Sequence, residues 1–149
     1  MWNGEVVGGT TANVEGGIEV AEGTMELLDG SAPEGLSVKV DEGATLDLGG
    51  AVQPTLVLSG TGGTIVNGTL RSFKVDFGRT PEDPVEPRTA YPLVRVGAGA
   101  DLGLTVGRPI SVRAVNSGND RVRRATVVLG DDGVITATPL ENGAALILR

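Results

Sequence analysis

Two stretches twenty residues apart carry one pattern, and that repeat constrains the fold more than anything else in the chain. Residues 18–30 read IEVAEGTMELLDG and residues 38–50 read VKVDEGATLDLGG. In each, an apolar–charged–apolar triplet meets a glycine break, and a second alternating piece follows before the next glycine. Alternation with period two puts one apolar set inward and Glu, Asp or Lys outward, which is the pattern of a strand. A unit this short cannot bury its own apolar face, so neighbouring units must stack. Stacking in sequence register predicts Val20 over Val40, Met25 over Leu46 and Leu27 over Leu48. Glycine at the corners then explains much of a content of 24 residues in 149, more than twice the average usage of about 7%.

Helical patterning is missing throughout, so the chain reads as all-β. Residues 1–77 are expected to form coils of a parallel β-helix, or β-solenoid. Within them, Phe73, Val75 and Phe77 give one more strand with both phenylalanines on the same face. Residues 78–90 form a charged loop holding Pro81, Pro84 and Pro87. Residues 91–149 supply a final coil and an antiparallel β-meander cap, with strands near 102–106, 110–115, 121–129, 134–138 and 144–148. An open solenoid end is an aggregation edge, which a terminal meander would cover. The alternative is an antiparallel β-sandwich or jelly roll, which also has short strands separated by turns.

Composition excludes several chemistries. The chain has no His and no Cys, so it can build neither a Ser-His-Asp triad, a cysteine nucleophile nor an ordinary zinc site. The net charge of −7 is split unevenly. Residues 1–70 carry ten acids against Lys39 alone, whereas residues 71–149 carry nine acids and eleven bases. An acidic first half argues against nucleic acid as a partner, because phosphate neutralisation needs a basic face. No apolar run is long enough for a transmembrane helix, and Met1, Trp2, Asn3 and Gly4 do not open a signal peptide.

The segment VDEGATLDLGG, followed by LVLSGTGGTIVNGTL, resembles the autotransporter-associated β-strand repeat of bacterial surface and secreted proteins. Residues 38–70 carry the resemblance best. Residues 90–96 (AYPLVRV) and 143–148 (GAALIL) are similar to the closing strands of such passengers. The resemblance implies a right-handed parallel β-helix, here a C-terminal portion of an exported protein on the cell surface or in the medium. It brings no catalytic residues and no cofactor.

Four candidate sites remain. Asp131 and Asp132, between Gly130 and Gly133, could pair for acid–base work, but suit a hairpin turn with Asp capping the backbone. Asn116, Ser117, Asn119 and Asp120 could offer oxygen ligands to Ca²⁺, although the acids of a calcium solenoid do not recur. The outward acids Glu19, Glu22, Glu26, Asp41, Glu42 and Asp47 aid solubility and have no evident ligand. Arg121, Arg123 and Arg124 form the one basic segment, with Arg121 and Arg123 on the outer face and Arg124 at a local irregularity. Guanidinium groups suit carboxylate and phosphate, so surface glycans or host and cell-envelope polymers are the expected partners. The functional expectation is a non-enzymatic stalk or display surface with adhesion through its exposed faces. A carbohydrate-binding or polysaccharide-degrading β-helix and a phage fibre module are the alternatives.

Overall fold

The computed structural model describes residues 4–14, 17–27, 35–59 and 62–141. These contain fourteen strands: β1 (Gly4–Val14), β2 (Gly17–Leu27), β3 (Leu36–Val40), β4 (Thr45–Asp47), β5 (Val52–Gln53), β6 (Leu56–Ser59), β7 (Thr64–Val66), β8 (Gly68–Leu70), β9 (Phe73–Asp76), β10 (Tyr91–Val96), β11 (Ala100–Asp101), β12 (Ile110–Val115), β13 (Val122–Leu129) and β14 (Val134–Glu141). No helix occurs among the described residues, so none is long and apolar enough to cross a membrane.

The repeat is realised as parallel pairing. Val20 lies beside Val40 and Met25 beside Leu46, as β2 pairs with β3 and with β4. The next strands continue in step, with Leu36 beside Leu56, Thr45 beside Thr64 and Leu56 beside Phe73. The apolar set faces inward: Val20, Met25, Leu27, Val40, Leu46 and Leu48 are completely buried. Each such aliphatic side chain stabilises the fold by roughly 1.5–3 kcal/mol through burial. Leu56, Leu58, Ile65, Val75, Leu93, Ala125, Val127 and Ile135 extend the same core.

The architecture nevertheless departs from a right-handed parallel β-helix, or solenoid, with a separate meander cap. Ten strands close on themselves in the order β2-β3-β6-β9-β12-β13-β14-β10-β7-β4, and β4 pairs back onto β2. The result is a closed β-barrel of mixed strand direction. Seven of its contacts are parallel and three are antiparallel.

Two features cause the closure. β2 is one unbroken eleven-residue strand, so its first half pairs with β3 and its second half with β4. Two rows of strands thereby share one wall element. At the other end β13 and β14 run antiparallel from β12 across to β10. The expected cap is therefore part of the wall, and pairing removes the open edges that an elongated coil stack would leave. A sandwich or jelly roll does not describe the pairing either, because the wall is one ring. A separate three-stranded parallel sheet, β11-β8-β5, and the hairpin partner β1 lie outside that ring.

Smaller expectations also shift. No strand runs over the expected 102–106: β11 ends at Asp101, and Val106 makes only an isolated bridge to Leu129. The proline-rich segment is anchored: Val85 is buried, and its N–H donates to the Ser117 carbonyl across 2.9 Å. The closing strand expected at 144–148 and the corner at Gly60 lie outside the described residues.

Candidate anion-binding face and groove

Burial parity along three adjacent strands decides which side chains leave the barrel. Val75 of β9, Ala114 of β12 and Ala125 of β13 point inward and are buried. Their neighbours Lys74, Arg113 and Arg124 therefore face out. Arg113 and Arg124 are direct cross-strand partners. The parallel register of β12 on β9, with Ala114 beside Val75, brings Arg113 alongside Lys74. Strands lie about 4.8 Å apart, so three cations cross the outer face in one row.

No member of the row makes an ion pair among the described residues, and Asp76, two residues beyond Lys74 on β9, spends Oδ1 on Gly78 and Asn116. The ion pairs among the described residues are Lys39–Glu19 at 3.8 Å and Arg79–Asp83 at 3.3 Å, and neither involves the row. Arg124 is held flat against the sheet instead: Nε donates to Ser111 Oγ across 2.7 Å and Nη2 to the Ser111 carbonyl across 3.1 Å. Like charges directly opposite on a sheet are unfavourable, so the alignment costs stability that an anion would restore.

The three arginines singled out in the sequence do not form one cluster. A register shift separates Val122, opposite Glu141, from Arg124, opposite Leu140. This bulge makes Arg123 the extra residue, so Arg123 and Arg124 are both exposed between buried Val122 and Ala125. Arg124 joins the row with Lys74 and Arg113. Arg123 lines a neighbouring groove, with Nε donating to the Asp120 carbonyl across 3.3 Å. Arg121 sits in the preceding turn, where its N–H donates to Asn119 Oδ1 across 2.9 Å.

The groove, of about 430 Å³, is walled by Arg79, Asn116, Ser117, Asn119, Asp120 and Arg123, among others. Its floor is a locked turn. Ser117 is buried, with Oγ 2.8 Å from the Asn119 carbonyl and 3.0 Å from the Val122 carbonyl, and it accepts the Asn119 N–H. Gly118 follows at φ +77°, and a Cβ there would fall against the Thr80 carbonyl and Pro84, so only glycine fits. Asn116, at φ 52°, turns its carboxamide to Asp76. The Asp120 carboxylate, the Arg123 Nη atoms and Asn119 Nδ2 have no hydrogen bond or ion pair among the described residues.

A second, smaller recess of about 130 Å³ lies beside Phe77, Arg79 and Tyr91. The Tyr91 ring is already covered: Arg79 stacks 5.2 Å from its centre, and Phe77 meets it edge-on at 5.8 Å. Its hydroxyl accepts the Glu86 N–H across 2.8 Å.

Of the remaining sequence candidates, Asp132 and Asp47 serve turns and Glu19 pairs with Lys39. Asp132 Oδ1 accepts the Val134 N–H across 3.0 Å, closing the tight turn after β13. Glu26 and Asp47 stand opposite one another, and Asp47 caps Gly49. Among the described residues no three acidic side chains converge as metal ligands would. The sequence reading missed Lys74 and Arg113 as site residues. The alternation of β9 gave an outward Lys74, but its meeting with Arg113 depends on a pairing thirty-nine residues apart across the proline-rich loop.

Comparison with protein-family models, with curated proteins and with solved structures finds no match in any of the three.

Proposed function

We propose that this chain is a non-enzymatic binding and display module that engages an anionic surface or cell-envelope glycan through the row Lys74–Arg113–Arg124. The observation that carries the reading is the alignment of three cations on adjacent strands, none of which makes an ion pair among the described residues. A rigid barrel wall fixes their spacing, which favours a polymer carrying repeated charges over a small anion. The non-enzymatic part is supported by what the ordered acids do. Asp47, Asp76, Asp101 and Asp132 each spend an oxygen on a backbone N–H two residues on, a turn-forming task and not a proton-transfer one. The location on a cell surface or in the medium belongs to the same reading and rests on the repeat resemblance of residues 38–70.

Titration with polygalacturonate, against neutral dextran as control, tests the proposal. Binding of the polyanion alone is expected, weakening as salt rises because the contacts are between exposed charges. The double variant Lys74→Gln/Arg113→Gln is expected to lose about tenfold or more in affinity, each lost charge contact contributing on the order of 1 kcal/mol. Absence of binding, or equal binding by the double variant, overturns the proposal.

A further inference from the structure

We infer that the groove at the end of the cation row is a sugar subsite that takes one uronate residue of the bound polymer; this rests on the reading of the row as a glycan-binding face. The groove begins where the row ends. Val115, two residues beyond Arg113 on β12, and Arg123, next to Arg124 on β13, both line it, and two residues of strand span about 7 Å. A chain lying along the row therefore runs into the groove.

The chemistry of the groove differs from that of the row. The row offers positive charge alone, and any polyanion satisfies it. The groove adds an acceptor and two kinds of donor, carried by the turn that Ser117 ties together. The Asp120 carboxylate is exposed and unpaired among the described residues, so it can take two hydrogen bonds from a vicinal diol. Arg123 is exposed and uses Nε on the Asp120 carbonyl, while its Nη atoms have no partner among the described residues, leaving the paired donors that match a carboxylate. Asn119 Nδ2 is a further donor, since Oδ1 is fixed by the Arg121 N–H. Diol acceptor, carboxylate clamp and single amide donor together describe a hexuronate. A phosphate or sulfate chain has no hydroxyl pair for Asp120 and meets its negative charge instead. The groove volume of about 430 Å³ falls in the range of about 300–1,000 Å³ usual for small-molecule sites. Ser117 and Gly118 explain why the arrangement is built: buried hydroxyl and left-handed glycine hold the 116–121 turn in one shape.

Competition between polygalacturonate and inorganic polyphosphate tests the subsite, with Asp120→Asn and Arg123→Gln as variants. Neither side chain is buried, and the Asp120 carboxylate holds no part of the turn, so the fold survives the changes. The native protein is expected to prefer polygalacturonate. Asp120→Asn is expected to weaken polygalacturonate about fivefold to tenfold while leaving polyphosphate unchanged or tighter, the loss of one or two hydrogen bonds to a charged group. Arg123→Gln should weaken polygalacturonate more than polyphosphate. Equal affinity of the native protein for both polymers, or equal loss of both in Asp120→Asn, overturns the subsite while leaving the row intact. Failure to bind either polymer overturns the row and the subsite together.

Discussion

Asn116 donates its carboxamide to Asp76 across 3.1 Å, from a residue forty positions away in sequence. Asn67 does the same for Asp47 across 3.0 Å, twenty positions away. Both asparagines sit in the left-handed region, at φ 52° and 56°, where Asn is among the few side chains tolerated. Both aspartates also accept the N–H of a glycine two residues on, Gly78 and Gly49. One corner is thus built twice, from an Asp–apolar–Gly strand end and an asparagine just past the end of the neighbouring strand.

Removing the aspartate unties two groups at once. Asp76→Ala is expected to lower stability by about 1–2 kcal/mol, the usual cost of a lost side-chain cap on backbone N–H groups. Urea unfolding followed by circular dichroism reads the change. Asn116→Gly should cost less than Asn116→Ala, because glycine accepts the positive φ that alanine resists.

The outward row predicts that stability and binding move in opposite directions. Arg113→Glu replaces the Arg113–Arg124 repulsion by attraction on the same sheet face. It is expected to raise stability by about 0.5–1 kcal/mol at low salt, with the gain shrinking as salt rises. Thermal melts at two ionic strengths measure this, and polygalacturonate binding should fall in the same variant.

Burial at the centre of the wall sets the largest single effects. Leu58, completely buried between β3 and β9, is expected to cost about 2–5 kcal/mol when replaced by alanine. A loss below 1 kcal/mol on chemical denaturation would show that its pocket collapses freely.

Gln53 gives a subtler case. Its Nε2 donates to the Leu48 carbonyl across 2.8 Å, while Oε1 is buried with no partner among the described residues. The Leu48 carbonyl also receives the Ala51 N–H across 3.5 Å, a long bond that leaves it partly satisfied in Gln53→Leu. That variant is expected to be neutral or stabilising within about 1 kcal/mol, since an unsatisfied acceptor disappears. Gln53→Glu, which buries a carboxylate, should be clearly destabilised at neutral pH. Paired denaturation curves separate the two.

The repeat showed the inward set and the parallel neighbours because period-two alternation and the twenty-residue offset are local signals. Val20, Val40, Met25 and Leu46 needed nothing else to be placed. Closure was hidden because it depends on continuity and direction. Residues 21–24 do hold a glycine kink, with Gly23 at φ 73°, yet β2 continues through it, and nothing local in β14 shows that it returns beside β10. The site was half visible for the same reason. Arg123 and Arg124 announce themselves as consecutive charges, whereas the bulge that separates their roles arises from pairing with Glu141 and Leu140. Lys74 and Arg113 become neighbours only after the proline-rich loop has been spanned.

Ring closure also sets the order of events during synthesis. β2 waits for β3 and β4 alone, but the wall is complete only when β14 meets β10, and β14 ends at Glu141. Until then β12 and β10 present open edges, and the pairings still missing span long stretches of sequence. Such long-range pairing is slow to nucleate. The barrel therefore cannot lock before Glu141 has left the ribosome. Until then the unpaired strand edges can stick to neighbouring chains.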